Sequence, residues 1–187
     1  MKDQIPELVG SFVNGSEVDF AMLVRMFRRK IYATAHKIVG NHLDADDVVQ
    51  ETFVRVYRKR EELKDVKYFS TFLMRVATNY AIDLLRRHRG HQEIGDDTAS
   101  LPGAVQLDLA KRVSTPKEEF ENKKLMEEIQ AALDQLPPRQ KITAILHDVD
   151  GHTKAEVAAI LECPETTVRS NLHIARTKLK RILKHRL

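Results

Sequence analysis

Apolar positions recur at helical spacing along most of this chain, and nowhere do they alternate as a strand would require. Phe20, Leu23, Val24, Phe27, Ile31, Ala35 and Ile38 share one stripe and predict a helix near 17–39. Ser16 suits its N-cap, and Gly40-Asn41 its end. A second helix is predicted from Asp44 to about Arg60, burying Val49, Phe53 and Val56. Its first turn holds Asp44, Asp46 and Asp47, which suit a positive helix N-terminus. A third runs from about Ser70 to His88 with Phe72, Leu73, Val76, Tyr80 and Leu84 inward. These helices make an N-terminal helical bundle within residues 1–89.

Residues 90–116 show no period. They hold Gly95, Pro102, Gly103 and Pro116 among scattered acids and read as an irregular linker. Periodicity resumes over 117–187. Phe120, Leu125, Ile129, Leu133 and Leu136 fit a helix that stops at Pro137-Pro138, and Pro138 can open the next one. That helix, near 138–147, buries Ile142, Ile145 and Leu146. The turn Asp148-Val149-Asp150, flanked by His147 and His152, reads as exposed polarity rather than a metal site.

From Thr153 onward two helices face each other across a tight turn. Val157, Ile160 and Leu161 mark the first, capped by Thr153 with Glu156 at the capping-box position. Glu162-Cys163-Pro164 breaks it, and Pro164 fits the first position of the next helix. Val168, Leu172, Ala175, Leu179 and Ile182 form that helix's apolar stripe. Polar and basic residues occupy the other side. This is the sequence form of a helix-turn-helix. The expected fold class is therefore all-α: two small helical domains, an N-terminal bundle and a C-terminal four-helix domain with the helix-turn-helix.

Charge sharpens this. Residues 20–89 carry 15 Lys and Arg against 8 Asp and Glu, and residues 165–187 carry 7 against 1. An acidic stretch with 6 against 10, over 117–164, separates these basic blocks. Clustered positive charge attracts phosphates. A single Cys excludes an internal disulfide. The N-terminus MKDQIPELVG lacks a signal-peptide pattern, and no segment reaches the ~18 apolar residues of a membrane span. A cytoplasmic protein is expected. No nucleophile elbow, phosphate loop or metal-ligand spacing is present, so neither an enzyme nor a cofactor is expected.

Four strings carry a resemblance: DADDVVQETFVRVY at 44–57, RVATNYAIDLLRRHR at 75–89, LPPRQ at 136–140 and CPETTVRSNLHIARTKL at 163–179. In this order and spacing the chain resembles bacterial RNA polymerase sigma factors of the extracytoplasmic-function (ECF) group, over about 140 residues. The resemblance implies core RNA polymerase, promoter DNA and an anti-sigma factor as partners. It implies that the helix of the first string docks on polymerase through Asp47, Gln50 and Glu51, with Phe53 as core or rim. It assigns the minus-ten element to Lys64, Lys67, Tyr68, Asn79, Arg86, Arg87 and Arg89. On the last helix, Thr166, Arg169, Ser170 and His173 face the groove of the minus-thirty-five element. Arg176, Lys178 and Lys180 suit the phosphate backbone there.

Two departures stand out. This chain lacks the Trp common near Phe72. Glu162, Thr166, Asn171 and Ile174 replace commoner Gly, Gly, Arg and Arg. The rival reading is a helix-turn-helix transcriptional regulator with a helical sensor or dimerisation domain, in which the acidic helix at 44–57 has no task.

Overall fold

The computed structural model describes residues 4–65, 68–92 and 116–184. The expected linker lies mostly outside the described residues. Those residues form eight α-helices and no strand: α1 (Ile5–Val13), α2 (Glu17–Val39), α3 (His42–Arg58), α4 (Phe69–Gln92), α5 (Pro116–Asp134), α6 (Pro138–Ala144), α7 (Lys154–Leu161) and α8 (Glu165–Ile182). A 3-10 segment, Arg60–Asp65, leads towards α4.

Helix α2 forms where its stripe predicts. The Ser16 hydroxyl accepts from the Asp19 amide at 3.3 Å, and Gly40 ends the helix in the left-handed region at φ 85°. Leu23, Phe27, Ile31, Ala35 and Ile38 are buried. Helix α3 starts two residues earlier than expected because Asn41 caps it, accepting from the Asp44 amide at 2.9 Å. α2, α3 and α4 pack on one another, and α1 packs on α2.

Helix α1 has no counterpart in the sequence reading. It lacks a side-chain cap at Gln4 and carries Gly10, so its local signals are weak. Tertiary packing holds it. Phe12 is buried and stacks on Phe20 at 4.6 Å between ring centroids.

The expected helix at 138–147 instead narrows to α6 and widens into a π-helical segment, Ile145–Val149. The Asp150 amide donates to the Ile145 carbonyl and the His152 amide to the Leu146 carbonyl, both at 2.9 Å. The acidic turn is thereby fixed. It is also not simply exposed: the Asp150 side chain faces α2 and is 9% accessible.

α5 to α8 close against α1 to α4, and one apolar cluster runs through both groups. α7 and α6 pack on α4, and the π segment packs on α2. Leu136, Ile142, Ile145, Leu146, Val157 and Val168 are fully buried in this second part.

Two histidines, His36 buried and His152 half-buried, give the fold a pH dependence. The Nε2 atoms of His36 and His152 have no hydrogen-bond partner among the described residues. Burial lowers the pKa of both below the usual 6.5. His42 adds to this at His36. Lys30 adds to it at His152, where Glu156 and Asp150 pull the other way. Above about pH 6.5 both rings are neutral in folded and unfolded chains alike. As pH falls below that value the unfolded chain takes up protons that the native one refuses. The melting temperature is therefore expected to drop between pH 7.5 and 5.5, with a shallower slope in His36→Gln. A scanning-calorimetry series in pH checks both.

Candidate nucleic-acid interface

The helix pair α7–α8 is set by local chemistry. The Thr153 hydroxyl accepts from the Glu156 amide at 3.2 Å, and the Glu156 carboxylate accepts from the Thr153 amide at 2.8 Å. Donation from the Thr153 amide, and then from its hydroxyl at 2.9 Å, holds the Glu156 carboxyl below its usual pKa. Pro164 is the N-cap of α8 rather than its first residue, so the helix starts one position later than expected. Between the helices Glu162 adopts φ 49°, a left-handed conformation that favours glycine. A β-branched side chain tolerates it worst. Glu162→Val is therefore expected to be about 1–2 kcal/mol less stable than Glu162→Gly by urea denaturation.

Val168, Leu172 and Ala175 bury the inner stripe of α8. Thr166, Arg169, Ser170, His173, Arg176 and Lys180 are exposed, and Lys178 is half-buried. Arg169 reaches Glu165 one turn back at 3.3 Å. Lys178 donates to Gln140 at 3.2 Å, which ties it to α6. Arg176 makes a two-pronged pair with Asp148 at 2.5 and 3.1 Å, which raises the guanidinium pKa further. Arg169, His173 and Arg176 line a shallow cleft of about 180 Å³ together with Lys154. Sequence reasoning missed Lys154. No local signal marks it, since only the packing of α7 on α8 brings it to the cleft. The cleft gathers three permanent cations and one imidazole, a set suited to a phosphate backbone.

A second polar array lies on α4. Tyr68 is exposed just before the helix, while Phe69 is buried and edges onto Phe27 at 5.5 Å. Phe72 is half-buried beneath the Arg75 guanidinium, 5.0 Å from its ring centre. Asn79, Arg86 and Arg87 are exposed. Asn79 and Arg86 are seven residues apart and share one stripe. Tyr80, expected inward, packs half-buried against the core and also meets two guanidinium groups, Arg55 at 4.9 Å and Arg87 at 5.6 Å. Lys67 and the side chains of Lys64 and Arg89 lie outside the described residues.

The third feature is an apolar groove of about 600 Å³ between α2 and α3. Phe20, Val24, Val49, Val54 and Tyr57 line it over Phe53, which is 7% accessible. Gln50, Asp46, Arg28 and Arg58 supply its polar groups. Gln50 and Phe53 thus come together here. Asp47 is exposed outside this lining, and Glu51 pairs with Arg55 at 2.7 Å. The α2 side of the groove was not legible beforehand, because Phe20 and Val24 read only as core positions. Among the described residues no three His, Cys, Asp or Glu side chains converge to hold a metal ion. No described helix is long and apolar enough to cross a membrane.

Residues 23–91 match the family Sigma-70 region 2, and residues 126–179 match Sigma-70, region 4. Two such modules in this order define the class of sigma-70-type transcription initiation factors, which are not themselves enzymes. The chain is 33% identical over 161 residues to the ECF RNA polymerase sigma factor SigE of Mycolicibacterium smegmatis, covering 84% of this chain and 59% of that one. It is 26% identical to SigW of Bacillus subtilis, covering 98% of this chain and 99% of the relative. Within that class the chain belongs to the ECF sigma factors. The fold agrees. The sigma factor RpoE solved with the anti-sigma factor NepR from Bartonella quintana superposes with a TM-score of 0.66 at 22% identity, covering 89% of this chain and 97% of that one. CnrH, solved with the cytosolic domain of CnrY, gives 0.66 at 20% identity, covering 95% and 96%.

Proposed function

We propose that this chain binds core RNA polymerase and directs it to promoters, acting as a cytoplasmic specificity factor with no catalysis of its own. One observation carries the reading: a single chain joins an apolar, Gln-bearing groove to a basic recognition helix. The groove suits a protein partner, because its walls are aromatic and aliphatic and its rim is mixed in charge. The recognition helix suits duplex DNA.

The parts divide as follows. Residues 1–89 bind polymerase and the minus-ten element, 90–116 connect, and 117–187 bind the minus-thirty-five element. Asp47, Gln50, Glu51 and Phe53 serve polymerase docking. Lys64, Lys67, Tyr68, Asn79, Arg86, Arg87 and Arg89 hold the opened strand, with the Tyr68 ring available for base stacking. Thr166, Arg169, Ser170 and His173 read the duplex, and Arg176, Lys178 and Lys180 hold its backbone. The structural neighbour solved with the anti-sigma factor NepR supports a partner of that kind here too.

Gel filtration with core polymerase tests the reading. The chain should co-elute with polymerase, and Gln50→Ala with Glu51→Ala should weaken that association about tenfold or more. Failure of the unaltered chain to co-elute would favour an ordinary helix-turn-helix regulator.

A further inference from the structure

Tyr80 stands at the seam between α3 and α4, and a cation from each helix meets its ring. The side chain packs half-buried against the core. The Arg55 guanidinium of α3 lies 4.9 Å from the ring centre, and that of Arg87, two turns further along α4, lies 5.6 Å from it. A guanidinium within about 6 Å of an aromatic centroid is drawn to the ring by its quadrupole. The Tyr80 hydroxyl makes no hydrogen bond to a described residue, so the ring alone holds these cations. Packing against the core would be served by leucine. An aromatic ring adds a seat for charge.

Two like charges on one ring repel, and only one of them is compensated. Arg55 Nε donates to Glu51 at 2.7 Å, one turn back. Arg87 Nε donates to the Asp83 carbonyl at 3.4 Å and pairs with no carboxylate among the described residues. Both guanidinium groups are open to solvent: the Arg55 side chain is 39% accessible, and Arg87 is exposed. A surplus of positive charge therefore remains at the seam. The pair of Arg55 with Glu51 is solvent-screened and can be given up at little cost.

Fixing these side chains beforehand favours an anionic ligand. A free arginine loses rotamer freedom when it grips a phosphate, and a ring that already orders it removes part of that loss. A nucleic-acid strand carries one negative charge per nucleotide, so two cations on one ring match one phosphate or two successive ones. α3 can serve this strand and a protein partner together. Gln50 lines the apolar groove, and Arg55, five residues on, lies about 140° further around the helix.

We propose that Tyr80 is a positioning residue that sets Arg55 and Arg87 as a clamp on the sugar-phosphate backbone of the opened strand, and that Arg55 is a strand contact supplied by α3. The strand as ligand rests on the function proposed above; the seating of two cations on the ring does not.

The probe is mixed-sequence single-stranded DNA of about 12 nucleotides, since backbone contacts carry no sequence information. It is titrated with the full chain by fluorescence anisotropy across a salt series. Tyr80→Leu should lower affinity about fivefold, while Tyr80→Phe, which keeps the ring, should stay within about twofold of the unaltered chain. Arg55→Ala should flatten the salt slope by about 0.7, the value for one phosphate contact on a single strand. With Arg55 and Arg87 both replaced by Ala, Tyr80→Leu should change affinity no further. A ring that merely packs would lower thermal stability and leave affinity and slope as they were, and that result overturns the proposal. Equal weakening in Tyr80→Phe and Tyr80→Leu overturns it too. Arginine side-chain NMR is the second arm. The Nε–H protons of Arg55 and Arg87 should carry ring-current shifts that Tyr80→Leu abolishes and Tyr80→Phe keeps, and their absence overturns the positioning. If the unaltered chain binds no single strand, the strand-holding role of α4 fails by itself, and NMR still decides whether Tyr80 positions the two cations.

Discussion

Arg169→Ala combined with Arg176→Ala is expected to lower affinity for promoter duplex by about 100-fold while leaving polymerase binding in place. The two residues sit on the exposed side of α8 and line the same cleft. Each Arg contact to a base edge or phosphate is worth about 1–3 kcal/mol. Arg169 can turn to DNA at little cost, since its pair with Glu165 is exposed and worth a few tenths of a kcal/mol. Arg176 must first leave the bidentate pair with Asp148, so Arg169 should account for the larger share. Fluorescence anisotropy across a salt series checks this. Each lost phosphate contact should reduce the salt slope by about one. A loss under threefold with an unaltered slope would mean that α8 does not meet DNA with this face.

The second large effect concerns stability. Lys141→Ala should cost about 2–4 kcal/mol. It removes three buried methylenes, at about 0.8 kcal/mol each before relaxation, and leaves the Ile38 carbonyl at the end of α2, and Asp134, without the ammonium that donates to both. The Asp134 side chain is 49% accessible and can rehydrate, which keeps the polar part of the loss modest. Lys141→Met keeps most of the volume and should cost about 1 kcal/mol, because apolar replacement of buried charge is often nearly neutral. For a chain of this size the two variants should melt roughly 5–10 °C apart. Equal melting temperatures would show that the stem packing of Lys141 contributes little.

Much of the fold was legible because α2, α3, α4 and α8 each carry a long apolar stripe, and α2 and α7 are capped where capping chemistry places their caps. Ser16, Gly40 and the Thr153–Glu156 box are all local signals. The missed elements lack such signals. α1 has an uncapped start and an internal Gly10, and tertiary contacts such as the burial of Val9 and the stacking of Phe12 on Phe20 secure it. The π widening after Ala144 leaves no mark in a 3.6-residue period. The contacts of Asp150 and Lys141 join positions 113 and 103 residues apart, a pairing that no periodicity encodes. The same holds for the groove, whose α2 wall came from side chains that looked like ordinary core. The cation side of α8 was legible, since a basic face opposite an apolar stripe is itself a pattern. Lys154 belongs to that cleft only because α7 and α8 pack together.

As a specificity factor of the kind proposed, this chain gives polymerase its choice of start sites. The direct measurement is in vitro transcription of sheared genomic DNA by core polymerase, with and without the chain, with transcript ends mapped. A small set of discrete starts should appear only when the chain is added and weaken with Arg169→Ala. A transcript population unchanged by the chain would contradict it.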